Sequence, residues 1–159
     1  VGGGPGEPLL RRTAHEAGVS GRVLFTGERP YVPDGSPGPD LPALTSAMDL
    51  FASPSPDEAF GLAAVEALAS GLPVLYASCP AIEDLPPSAT AGARRVRGGP
   101  DAYARAIAEV SAAGAGPRTV PDVAHRYCIT RSTARLVDVY AAAVSRSPSP
   151  LSPLGASPS

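Results

Sequence analysis

Between Leu50 and Ala77 the chain reads as a strand, a loop forced by prolines, an apolar helix, a glycine stop and a second strand, and few folds accept that order. Leu50-Phe51-Ala52-Ser53 is a buried-strand candidate, and Pro54-Ser55-Pro56 turns the chain out of it. Gly61 to Ser70 reads as a helix, stopped by Gly71 in the left-handed cap position and by Pro73. Val74-Leu75-Tyr76-Ala77 follows as another buried strand. Short β-branched or aromatic runs alternating with helical ones predict an α/β protein built on a parallel sheet.

The flanking segments continue the pattern. Val1 falls directly into Gly2-Gly3-Gly4-Pro5 and reads as the end of a strand that begins upstream. Leu9, Leu10, Thr13, Ala14 and Ala17 recur at helical spacing until Gly18. Val23 to Thr26 is a strand candidate closed by Gly27, and Arg29 to Pro39 is too rich in proline and glycine for regular structure. Asp40 is placed to cap a short helix through Ala47, with Pro42 in its first turn. Arg94-Arg95-Val96 is a short edge strand. Asp101 to Ala112 is helical, with Ala102, Ala106, Ile107 and Val110 on one face. Thr130 caps a last helix to Val144 that carries Ala134, Leu136, Val137 and Tyr140. The expected organisation is one domain over residues 1–144 and a disordered Ser/Pro-rich tail over 145–159, which has too few apolar groups to offset the entropy of ordering.

Composition removes several classes of function. A net charge of -2 gives no electrostatic reason to expect nucleic acid as a partner. Cys79 and Cys128 have no CxxC spacing, so they predict reduced thiols, neither a disulfide framework nor a zinc site. No apolar run reaches the roughly 20 residues of a membrane span. Cytoplasmic location follows as the expectation, with membrane contact only through a part that lies outside this sequence. All 13 basic residues are Arg, and Lys, Asn, Gln and Trp are absent, a bias that looks like GC-rich coding, as in actinomycetes.

The chemistry is concentrated in Ser53-Pro54-Ser55-Pro56-Asp57-Glu58-Ala59-Phe60-Gly61-Leu62-Ala63-Ala64-Val65-Glu66. A strand ends, a loop turns and a helix opens at a glycine, on the carboxyl edge where open α/β sheets bind ligands. The amides of Phe60, Gly61 and Leu62, unpaired at a helix start, offer a phosphate site. Glycine at 61 leaves room for a ligand to approach the backbone. Glu66 has apolar neighbours nearly all round, so a buried carboxylate there needs a partner such as ligand hydroxyls. The other reading, an Arg partner or a narrow solvated stripe, stays open. On one continuous helix Glu58 and Glu66 would stand about 12 Å apart along the axis, poor geometry for a two-carboxylate glycosidase. Two acids holding different parts of one extended ligand fit better. Cys79 has no His near it in sequence to make it a nucleophile, and no Gly-x-Ser-x-Gly elbow occurs. His15 and His125 read as solvated. Arg94, Arg95 and Arg97 form a basic cluster that fits either a solvated edge or a diphosphate site.

Pro54-Ser55, Glu58, Phe60-Gly61-Leu62 and Glu66 resemble the glutamate-x7-glutamate signature of family 4 retaining GT-B glycosyltransferases. The resemblance extends through Val1 to Pro5, Val23 to Gly27, Asp40 to Leu44, Glu66 to Val74 and Val139-Tyr140, in the right order. It implies the Rossmann-like donor-binding domain of a GT-B fold, with strand order 3-2-1-4-5-6, Val1 ending strand 2 and strand 1 absent. It implies a catalytic role for Glu58 at the donor sugar and ribose binding by Glu66. The amides of Phe60, Gly61 and Leu62 are implied to bind sugar and diphosphate. Gly2 and Gly4 match a turn near the donor, and Gly27 lies near the base. The implied reaction moves a sugar from a nucleotide diphosphate to a saccharide, lipid or small-molecule acceptor, with retention and no obligatory metal or other cofactor. The acceptor domain and the Arg/Lys pair for the diphosphate are expected upstream or on a partner chain. The alternative is a noncatalytic remnant or a nucleotide-sugar-binding subunit that needs such a partner. Two departures stand out. Cys79 and Pro80 replace the glycine pair that the family usually carries ahead of the glutamate matching Glu83, and the Arg29–Pro39 loop is long.

Overall fold

The computed structural model describes residues 3–28, 41–114 and 116–145. Gly2, the Arg29–Pro39 loop, the Asp40 cap and the tail from 146 lie outside them. The elements run α1 (Glu7–Glu16), α2 (Leu41–Ser46), β1 (Phe51–Ser53), α3 (Leu62–Ala69), β2 (Val74–Tyr76), α4 (Pro80–Glu83), β3 (Ala93–Arg95), α5 (Pro100–Ala113), α6 (Asp122–Arg126) and α7 (Ile129–Ser145). Short 3-10 turns stand at Ser20–Arg22 and Pro87–Thr90.

The three strands form a parallel sheet in the order β1-β2-β3, pairing Phe51 with Val74 and Val74 with Ala93. Every residue of β2 is buried, as a strand covered on both faces requires. One core cluster packs Val65, Leu68 and Leu72 of the α3 region with Val74, Ile82 and Val123. The other packs Leu75 and Val96 with Tyr103 and Ala106 of α5. Helices thus cover both faces of the central strand, giving a Rossmann-like α/β layer. Tyr103 and Ala106 bury α5, whereas Ile107 is exposed, so its buried face is rotated from the one expected.

Glycine stops α1 and α3 as the sequence predicts, with φ of +67° at Gly18 and +71° at Gly71. Residues 23–26 do not form the expected strand, because they have no ladder partner among the described residues; Leu24 is 82 % exposed. Within residues 3–28 the Val19 amide bonds the Ala14 carbonyl, and Arg11 pairs with Glu7 and lies 4.4 Å over the Phe25 ring. α7 starts at Ile129, one residue before the expected Thr130 cap, and none of its residues is buried. Among the described residues no helix is long and apolar enough to cross a membrane.

Candidate donor site at the carboxyl edge of the sheet

The carboxyl ends of β1 and β2 are held by side chains from elsewhere in the chain. Tyr103 donates its hydroxyl to the Ser53 carbonyl at 2.9 Å, and Arg95 Nε donates to the Ala77 carbonyl at 3.0 Å. The loop after β1 carries Glu58 and leads into α3. Glu58 is in the loop, as expected, so the two acids do not share a helix.

The Phe60 and Gly61 amides are not unpaired. Both donate to Glu58 Oε1, at 3.2 and 2.9 Å. An acid two or three residues ahead of a helix start can fold back onto its amides, and here the carboxylate occupies the position where an external anion would bind. Leu62 stands at the first helical position. The backbone itself also requires Gly61: its φ is +98°, and a Cβ there would lie 2.2 Å from Cys79 Sγ. The thiol fills the space, donating weakly to the carbonyls of Phe60 and Gly61 at 3.7 and 3.8 Å.

Glu66 is exposed, not buried. α3 buries Ala64, Val65, Ala67 and Leu68, while Leu62, Ala63, Glu66 and Ala69 share its outer face. The carboxylate therefore lies on the solvated half of the helix, and no burial forces a partner on it.

After β2, the Cys79 amide donates to Glu83 Oε1 at 2.8 Å, and Glu83 Oε2 pairs with Arg95 at 3.1 Å. Pro80 takes the first position of α4, where its missing N–H costs nothing. This loop's backbone donors are thus absent at 80 and committed at 79. Arg94 pairs with Glu109 at 2.7 Å and Arg95 with Glu83, so two of the three clustered arginines have acidic partners within the chain.

Gly4 accepts the Glu7 amide in the turn into α1, and Gly3 stands against the Glu28 side chain, next to Gly27. The glycine turn and Gly27 therefore neighbour each other. Among the described residues, neither belongs to a core cluster of the sheet. A separate hollow of about 460 Å³ opens at the opposite edge of the sheet, lined by Asp49, Pro73, Gly92 and Arg118. Its Arg118 is committed to the carbonyls of Ser46 and Met48, and the hollow lies away from the acids.

Sequence reasoning missed Tyr127. It lies just after α6, stacks edge-on with Phe60 and bonds Ala81. His125 lies in the last turn of α6 and is exposed, as is His15, in line with the solvated positions expected of both. The cysteines are both free and differ in environment. Burial pushes the Cys79 thiol up, reinforced by the Glu58 and Glu83 carboxylates. At the turn into α7, the amides of Arg131 and Thr130 pull the Cys128 thiol down. Thiolate is the nucleophile, so Cys128 reacts first as pH rises. Mass spectrometry after brief iodoacetamide treatment at neutral pH should find Cys128 alkylated at least about tenfold faster than Cys79. Equal rates would show that the folded environments do not control the thiols.

A parallel sheet covered by helices, with a glycine-started helix and loop carboxylate at its carboxyl edge, defines a Rossmann-like domain, and open α/β sheets in general bind ligands at that edge. The chain belongs to the family of glycosyl transferases group 1, whose model matches residues 1–113. Similar curated proteins include the D-inositol 3-phosphate glycosyltransferase of Salinispora tropica, 32% identical over 157 residues, covering 91% of this chain and 30% of that protein. The enzyme of that name from Mycobacterium bovis is 44% identical over 84 residues, covering 49% of this chain and 16% of the relative. A lipopolysaccharide core biosynthesis mannosyltransferase of Rhizobium meliloti is 35% identical over 79 residues, covering 50% and 20%. The chain thus spans less than a third of the length of these relatives.

Proposed function

We propose that this chain is the nucleotide-sugar-binding half of a retaining glycosyltransferase of the GT-B type, working with an acceptor-binding half that precedes it or lies on a partner chain. The observation that carries the reading is the Glu58 carboxylate on the Phe60 and Gly61 amides, at the carboxyl edge of a parallel sheet. Glu58, its carboxylate held by the Phe60 and Gly61 amides, meets the donor sugar, and the Leu62 amide at the start of α3 meets the diphosphate. Glu66, free on the outer face of α3, accepts from the ribose hydroxyls. Gly2, Gly4 and Gly27 shape the base end. The sugar passes to an acceptor with retained configuration, and no metal is required. The acceptor is a saccharide, a lipid or a small molecule.

One observation favours a second reading, a nucleotide-sugar-binding subunit without turnover. The β2–α4 loop has a proline at 80 and a committed amide at 79. Turnover separates the two.

The test uses a complete protein carrying this chain. Glu66→Ala should weaken free nucleoside diphosphate binding about tenfold or more by calorimetry, the loss of a charge-assisted hydrogen bond. Glu58→Gln keeps an acceptor oxygen for the two amides but removes the charge. It should lower transfer by roughly 10- to 100-fold while free diphosphate binding changes by less than about twofold. Equal weakening of free-diphosphate binding by both variants would defeat this division of roles.

A further inference from the structure

We propose that Tyr127 is a positioning residue of the donor site, fastening together the two loops that form it; the inference rests on the reading of that site given above. Tyr127 lies between α6 and α7, far in sequence from both loops. Its ring meets Phe60 edge-on, with centroids 5.2 Å apart and planes at 81°. Its hydroxyl donates to the Ala81 carbonyl at 2.8 Å. The Ala81 amide in turn donates to the Phe60 carbonyl at 2.9 Å.

These three contacts close a triangle, so Phe60, Ala81 and Tyr127 cannot shift independently. One corner carries the acid: the Phe60 and Gly61 amides fix Glu58 Oε1. Tyr127 thus sets where the Glu58 carboxylate points without needing to touch the sugar. Edge-to-face pairing resists sliding of the Phe60 ring, and the hydroxyl bond resists withdrawal of the β2–α4 loop. Glu66 sits in the body of α3, where helical hydrogen bonds hold the backbone, so the nucleotide end of the site does not depend on the triangle. A small misplacement at the sugar end is enough to slow transfer strongly.

The expected signature is therefore a split between ligands. In a complete transferase carrying this chain, Tyr127→Phe removes only the hydroxyl bond. It should raise KM for the nucleotide sugar about 3- to 10-fold and leave the Kd for the free nucleoside diphosphate within about twofold, since one hydrogen bond is lost at the sugar end alone. Tyr127→Leu also removes the ring pair and should lower kcat/KM for the donor about 30-fold or more. Combining it with Phe60→Leu should be little worse than the poorer single variant, because both changes break the same triangle. The probes are UDP, GDP and ADP and their glucose conjugates. If Tyr127→Phe leaves KM unchanged, or weakens sugar-bearing and free diphosphates alike, Tyr127 is only a packing residue and the proposal fails. If the unaltered protein binds none of these diphosphates, the donor-site reading fails and takes this inference with it. Should Tyr127→Leu not fold, the Phe variant decides alone.

Discussion

Replacing Gly61 with alanine in the intact protein should lower its stability by about 2 to 5 kcal/mol, combining left-handed backbone strain with overpacking. The two contributions are separable. At φ +98° any Cβ is strained whatever space surrounds it. The second contribution is collision, because that Cβ would sit 2.2 Å from Cys79 Sγ, inside a core where Cys79 is fully buried. Removing the sulfur with Cys79→Ala leaves the nearest contact at 3.3 Å, to the Cys79 Cβ. The double variant should therefore recover about 1 to 3 kcal/mol relative to the sum of the single changes. Urea unfolding of the four proteins measures that coupling. A cost below about 0.5 kcal/mol for Gly61→Ala, or additive single effects, would show that the loops are not interlocked here. Against a net stability of about 5 to 15 kcal/mol the change is large. It also bears on function, since the displaced segment carries the amides that hold Glu58.

The legible parts of this fold are those that local chemistry decides. Gly18 and Gly71 were readable as helix stops because the left-handed conformation is a property of the residue itself. β1 and β2 were readable because each is a short, mainly apolar run bounded by proline or glycine, and the helices read at Gly61–Ser70 and Asp101–Ala112 are present as α3 and α5. Val23 to Thr26 has the same composition, but a strand is defined by its neighbour, and composition cannot supply one. In α3 the apolar surroundings of Glu66 suggested burial. With Leu and Ala on every side, the only polar mark on the helix was Glu66 itself, and that mark pointed to solvent. The Glu58 cap was accessible in principle, because an acid two and three residues before the amides it accepts is a local pattern. The Gly61–Cys79 interlock and the Tyr127 triangle join residues far apart in sequence, and no periodicity announces them.

Residues 1–159 expressed alone should give a broad melt or aggregate, and should transfer no sugar. The reason lies in what the described residues leave uncovered. Ile129, Leu136, Val137, Tyr140 and Val144 lie along one stripe of α7 at helical spacing, and Ile129 and Val144 are 79% and 75% exposed. At 1.5 Å per residue this helix is about 25 Å long, and from Leu136 to Val144 the apolar residues follow one another at helical spacing, with Ser132 and Thr133 separating them from Ile129. Soluble monomers rarely present such a strip without a partner. Leu9 and Leu10 of α1 are likewise more than half exposed, and residues 3–28 contribute to neither core cluster. β1 pairs with β2 on one side and has no partner on the other among the described residues, which leaves a row of backbone donors and acceptors open to other chains. Covering this surface stabilises by about 25 cal/mol per Å2, so a few hundred Å2 is comparable with the whole net stability. Transfer fails for a separate reason: the proposed mechanism needs cationic partners for the diphosphate and a surface that holds the acceptor against the sugar, and both are assigned to the other half. Calorimetry on this chain, alone and joined to the preceding half, tests stability, and assays with several nucleotide sugars test transfer. Restoration of a sharp transition and of turnover by the longer protein is the expected result; a cooperative melt with turnover from residues 1–159 alone would defeat the two-half reading.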